Sequence, residues 1–146
     1  MGLPGSGKST LAFEINKKLK AQRLNADKVR KKYNDWDFSK KGVLRQAKRM
    51  KILASKSKKK YVIADFICPL KKGRMIFDPD YLIWLDTIKK GRLPTFDKIF
   101  EKPKKFDFKI SKKDAKRYSK LIVLKIKIDT KKIKNSLLNR SWINIS

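Results

Sequence analysis

The chain has 146 residues, 40% hydrophobic and 37% charged, which is long enough for one domain with a real core. It carries 41 Lys and Arg against 13 Asp and Glu, a formal net charge of +28, with one cysteine (Cys68) and no histidine. This excludes an internal disulfide framework, histidine-based catalysis and the commonest zinc sites. It also fits a cytoplasmic protein, because no apolar run spans a membrane and no secretory leader is visible.

The segment Gly2-Leu3-Pro4-Gly5-Ser6-Gly7-Lys8-Ser9, followed by Thr10, fits the phosphate-binding P-loop pattern G-x-x-x-x-G-K-[ST] in full. The glycines let backbone N–H groups turn inward around a polyphosphate. Gly2, Pro4, Gly5, Ser6, Gly7, Lys8, Ser9 and Thr10 form the candidate nucleotide-binding set. Lys8 is expected to reach the β- and γ-phosphates, and the Ser9 hydroxyl to hold Mg²⁺. Leu11, Ile15 and Leu19 recur at helical spacing and predict a helix after the loop. Only Met1 precedes Gly2, so the strand that ordinarily feeds a P-loop is expected to be missing.

A short strand is expected over 23–26, with Asp27 capping the next helix and Arg30 on the same side one turn on. Ser39 is expected to cap a helix over 40–55, with Val43, Ala47, Met50 and Ala54 on one face. Tyr61–Ile67 is a mostly apolar run typical of a buried parallel strand, interrupted by Asp65 near its end, where a ligand of Mg²⁺ belongs. Residues 70–75 read as a basic loop, Tyr81–Leu85 as a strand, and 87–105 as a mobile lid. Phe106–Ile110 alternates like a strand, and Ser111-x-x-Asp114 reads as a capping box opening a helix through Tyr118 and Leu121. Residues 129–146 read as a loosely attached basic tail beyond a kinase domain of 1–128.

These segments together resemble the adenylylsulfate kinases, whose patterns GLSGSGKST, LDGDNVR, GFS, FISP and D-x-x-YE-x-P occur in the same order. Here they read Gly2–Thr10, Leu24–Arg30, Phe38-Ser39, Phe66-Ile67-Cys68-Pro69 and Asp97…Phe100-Glu101-Lys102-Pro103. The likeness covers roughly residues 2–115 and is looser after Arg30. It implies an α/β fold of the P-loop NTPase type, a parallel sheet with helices on both faces. It also implies transfer of the ATP γ-phosphoryl group to the 3′-hydroxyl of adenosine 5′-phosphosulfate, with Mg²⁺.

On that likeness Lys8 and Asp27 are the catalytic residues, Asp27 orienting or deprotonating the acceptor hydroxyl and sharing Mg²⁺ with Ser9. Asp65 completes the candidate metal set. Arg30, Phe38, Arg49, Ile67, Lys90 and Phe96 are the candidate acceptor-binding set, Arg30 for the phosphosulfate and Phe38 for the adenine. The chain departs from the pattern after Ser39, where Gly42-Val43 replace an Asp-Arg pair and Lys48 replaces an Arg, and after Leu85, where the lid is shorter.

Two other readings stay open. A polynucleotide 5′-kinase has a similar loop, and the net charge favours it, whereas a shortened domain could bind nucleotide or nucleic acid without turnover. Against nucleic acid, 33 of the cations are Lys and only 8 Arg, and the Lys clusters are spread along the chain. Small nucleotides are the favoured partners, no membrane partner is expected, and oligomerisation is left open.

Overall fold

A computed structural model describes residues 1–143, with side-chain surroundings through residue 137. In chain order the elements are α1 (Lys8–Leu19), β1 (Gln22–Asn25), α2 (Ala26–Tyr33), α3 (Lys40–Ser55) and β2 (Val62–Asp65). Then follow α4 (Lys71–Phe77), β3 (Ile83–Leu85), α5 (Pro94–Ile99), β4 (Phe108–Ile110) and α6 (Ala115–Ile143). All strand pairing is parallel: β1 with β2, register Asn25 to Asp65, and β3 with β4, register Leu85 to Ile110.

The two ribbons are not hydrogen-bonded to each other. Met1 and Gly2 run beside β3: the Met1 nitrogen donates to the Ile83 carbonyl at 2.7 Å, and Leu85 N–H donates to Met1 O at 2.9 Å. Gly2 forms a parallel bridge with Leu85, while the Met1 side chain packs with the core on the β1–β2 side. Where a strand feeding the P-loop would run, and is expected to be missing, Met1 and Gly2 pair with β3.

Strand periodicity sorts the side chains into two cores. Ile63 and Ile83 face α1 and α6, joining Leu11, Ile15, Ile110, Ile122 and Ile126. Leu24, Val62 and Ala64 face the other way, onto Val29 of α2, Ala47 and Met50 of α3 and Phe77 of α4. Helices therefore cover both faces, as expected. The same alternation places Arg23, Asn25 and Asp65 on the α1 side, below the P-loop.

Several local expectations hold and several are corrected. Ser39 does cap α3, its Oγ accepting from Gly42 N at 3.2 Å. The cap of α2 is Asn25, which accepts from Lys28 N at 3.1 Å, and Asp27 sits inside the first turn instead. The expected basic loop at 70–75 is helix α4, because Arg74 turns back to donate to the Cys68 and Pro69 carbonyls, both at 3.1 Å. Glu101 accepts from Lys71 N at 2.6 Å at the start of that helix.

The expected lid contains α5, pinned by buried Phe96 and by Asp97, which accepts from Gly91 N at 2.8 Å. Asp114, rather than Ser111, caps α6 by accepting from Arg117 N at 3.0 Å. That helix runs on through Asp129 without a break, although every described side chain from Lys131 to Leu137 is exposed. Residues 144–146 of the expected tail lie outside the described residues. Among the described residues no helix is long and apolar enough to cross a membrane.

Candidate active site

The P-loop builds an anion cradle before any ligand is considered. Gly5 and Gly7 take φ of 89° and 98°, the left-handed region that glycine occupies without a Cβ penalty. Gly7 is the N-cap of α1, and the first ladder bond is Leu11 N–H to Gly7 O at 3.1 Å. The N–H groups of Lys8, Ser9 and Thr10 are therefore left without intrahelical acceptors at the positive end of the helix. No acidic side chain occupies that first turn, so it is open to a phosphate.

Lys8 Nζ donates to Leu3 O at 2.9 Å, a carbonyl that a phosphate oxygen can replace. Burial holds its ammonium below the ordinary lysine range, opposed by the charges of Asp65 and Asp27. Arg92 closes the loop from above, its N–H donating to Pro4 O at 3.2 Å and its side chain passing over Gly5.

Asp65 ties the end of β2 to the loop. Its Oδ2 accepts from Ser9 Oγ at 2.9 Å, Arg23 Nη2 at 2.7 Å and Asn25 Nδ2 at 3.0 Å. Because the Ser9 proton points at Asp65, the lone pairs of its hydroxyl are left for a cation. The carboxylate itself is buried and already paired with Arg23. Among the described residues no cluster of three or more His, Cys, Asp or Glu could cage a metal alone. One hydroxyl and one or two carboxylates do fit Mg²⁺, which keeps waters and shares its ligands with phosphates.

The other end of the cleft is apolar around one cation. Arg30 is buried, and its Nη1 donates to Asp35 O at 2.9 Å and Asp37 O at 3.3 Å, fixing the guanidinium 4.8 Å from the Phe38 ring centroid. Burial pulls Arg30 below its ordinary value, with Asp35 opposing. Phe38 meets Phe96 edge-on at 5.2 Å, and Val43, Leu70 and Phe96 form the small core behind it.

These ends share one cleft of about 480 Å³, a size usual for small-molecule sites. Of the residues singled out from sequence, Pro4, Gly5, Gly7, Lys8, Ser9, Thr10, Asp27, Arg30, Phe38, Asp65, Ile67 and Phe96 line it. Gly2 and Ser6 lie beneath the loop: Gly2 pairs with Leu85, and Ser6 is fully buried and lines a second cavity of about 230 Å³. Arg49 and Lys90 are not on the cleft. Arg49 is held by Asp35 at 2.9 Å and stacks 4.3 Å from the Tyr33 centroid, while Lys90 is exposed.

In their place the cleft receives Arg92 and Lys113, which no motif reveals, together with Asn25 of the Leu24–Arg30 segment and Gln46 of α3. Arg92 and Lys113 come from segments that touch the loop only in the folded chain. The second cavity, lined by Gly7, Thr10, Leu85, Ile110, Lys113 and Tyr118, adjoins the loop on its α6 side.

A P-loop opening α1, parallel strands and helices on both faces define a kinase-like phosphotransferase of the P-loop class. The model of the adenylylsulphate kinase family matches residues 1–78, and the chain belongs to that family. Among solved structures, the Mycobacterium tuberculosis APS kinase CysC in complex with AMPPNP and APS is similar at a TM-score of 0.72 and 21% identity, over 84% of this chain and 92% of that one. A cysteine-to-alanine mutant of CysC from the same organism is similar at 0.66 and 23%, over 84% and 90%. None of the curated proteins matches the sequence.

Proposed function

We propose that the chain transfers the γ-phosphoryl group of ATP to the 3′-hydroxyl of adenosine 5′-phosphosulfate, in the cytoplasm. The observation that carries this is a single cleft joining the P-loop cradle to Asp27, Arg30 and Phe38. In support, the solved relative is in complex with both an ATP analogue and APS.

The P-loop N–H groups and Lys8 bind the donor phosphates, and the smaller cavity beside Gly7 and Thr10 takes the donor base. Ser9 and Asp27 would hold Mg²⁺, with Asp65 holding the Ser9 hydroxyl in position, and the ion would supply neutralisation of the donor's phosphate charge. Phe38 and Phe96 face the acceptor base, and Arg30 faces the acceptor's anionic group. The acceptor 3′-oxygen bonds to the γ-phosphorus as the bond to the β,γ-bridging oxygen breaks. The hydroxyl proton passes to the Asp27 carboxylate, and ADP leaves. Lys8 and Arg92 flank the position where charge develops on the transferring group.

Val43 supplies no charge where the family pattern has Arg, which weakens anion binding by roughly the 1.5–3 kcal/mol of one charged hydrogen bond. The test is ADP release from Mg-ATP with adenosine 5′-phosphosulfate, beside a 5′-hydroxyl oligonucleotide and a control without acceptor. Release with the phosphosulfate alone, lowered about 10²–10⁴-fold by Asp27→Asn, is the expected result. Release only with the oligonucleotide, or none from folded protein, overturns the proposal.

A further inference from the structure

Helix α6 uses one side for the core, burying Ser119, Ile122, Val123 and Ile126. Its opposite side carries Leu121, Leu124 and Ile128, which remain 48%, 57% and 45% exposed. Their spacing of three then four residues places them within an arc of about 60° at 100° per residue. That is the a–d–a seam of a coiled-coil heptad.

With Leu121 as a, the flanking g positions are Lys120, Lys127 and Lys134, and the flanking e positions are Lys125 and Lys132, all exposed. Every e and g position from residue 120 to residue 134 is thus a lysine. Lys125 is engaged by Asp129 at 3.1 Å on its inner side, and Asp129 is itself held by Tyr81 at 2.8 Å. The P-loop chemistry uses none of these residues.

We propose that this face is a docking seam for an amphipathic helix of another protein, with aliphatic residues at its a and d positions and Glu or Asp at e and g. Charge complementarity selects the occupant. A second copy would set lysine against lysine across the seam, between chains of +28 each. A nucleic-acid backbone offers nothing to three aliphatic side chains. A bilayer surface calls for an apolar face of about 100° or more. This stripe is narrower, has no aromatic residue, and is continued in line by Lys131 and Asn135.

The experiment titrates the full chain into a labelled synthetic peptide of four heptads with Leu at a and d and Glu at e and g, read by fluorescence anisotropy. A peptide of the same composition with its heptad scrambled is the control for mere attraction to a basic protein. The designed peptide is expected to bind about tenfold more tightly than the scrambled one, and Leu121→Ser/Leu124→Ser/Ile128→Ser to erase that difference. These three side chains are exposed, so unchanged circular dichroism and ADP release should accompany the loss.

Lys120→Glu/Lys127→Glu is expected to shift preference towards a Lys-flanked peptide of the same seam. Equal binding of designed and scrambled peptides overturns the proposal, as does a designed-peptide affinity indifferent to the triple substitution. So does failure to bind the peptide while the chain co-sediments, through the same three residues, with phosphatidylserine-containing vesicles. Self-association lost in the triple variant would overturn it in favour of a second copy.

Discussion

Replacing Asp65 with alanine withdraws one buried oxygen from three donors at once: Ser9 at 2.9 Å, Arg23 at 2.7 Å and Asn25 at 3.0 Å. Removing one partner of a fully buried ion pair commonly costs about 3–5 kcal/mol. The Arg23 side chain is 25% exposed, so water recovers part of its solvation and the expected cost is about 2–3 kcal/mol. At roughly 3 °C per kcal/mol for a chain of this size, the melting temperature should fall by about 6–9 °C. Thermal and urea unfolding followed by circular dichroism read this directly.

A double-mutant cycle separates the pair from the rest, because Arg23→Gln in the Asp65→Ala background should cost much less than Arg23→Gln alone. The expected coupling is about 1.5–3 kcal/mol. In the ADP-release assay, Asp65→Asn should raise the Mg²⁺ concentration needed for half-maximal rate, because the Ser9 hydroxyl loses its charged anchor. A loss below about 0.5 kcal/mol in Asp65→Ala, or strict additivity with Arg23→Gln, would refute the idea that this carboxylate organises the loop.

Other consequences are as specific. A Cβ on Gly42 would collide with the Asp37 carbonyl oxygen, so Gly42→Ala should destabilise by about 1–3 kcal/mol in urea unfolding, and an unchanged midpoint would contradict the close approach. The Arg45 and Arg49 guanidiniums beside Asp35 hold its carboxyl well below its ordinary value of 3.8. The unfolded state therefore binds more protons through and below that range, and stability present above about pH 4 should drain away as pH falls further. The acid slope of the melting temperature should be shallower in Asp35→Asn; parallel slopes would exclude the pair as its source. Burial pushes the Cys68 thiol up to about 12, so at pH 8 it should react with a disulfide reagent only as the chain opens, and prompt labelling of folded protein would disprove its burial.

The sequence by itself determined what depends on neighbours along the chain. The P-loop glycines, the Leu11–Ile15 face of α1, the Ser39 cap and the parallel-strand run over 61–67 that contains β2 were all legible, because backbone conformation and helical or strand period are local properties. Asp27, Arg30 and Phe38 were legible as a group only through family resemblance, since nothing local says that they share a cleft. Local rules misjudged α2, whose cap is Asn25 because β1 ends one residue earlier than expected. They missed α4, whose Arg74 reaches back to the Cys68 and Pro69 carbonyls ahead of the helix and whose first N–H is held by Glu101, thirty residues away in the chain.

Tertiary structure alone decided which cations reach the cleft. Arg49, on the expected helix, is drawn off to Asp35 and Tyr33, whereas Arg92 and Lys113 arrive from loops that pack against the P-loop. It also made the Asp65 carboxylate, a candidate metal ligand, the shared acceptor of Ser9, Arg23 and Asn25. That outcome follows from strand register, which sets Asn25 opposite Asp65 and points both towards α1. Motifs fix residue types and their spacing, but hydrogen-bond partners are chosen by which side chains the packed sheet and helices bring within 3 Å.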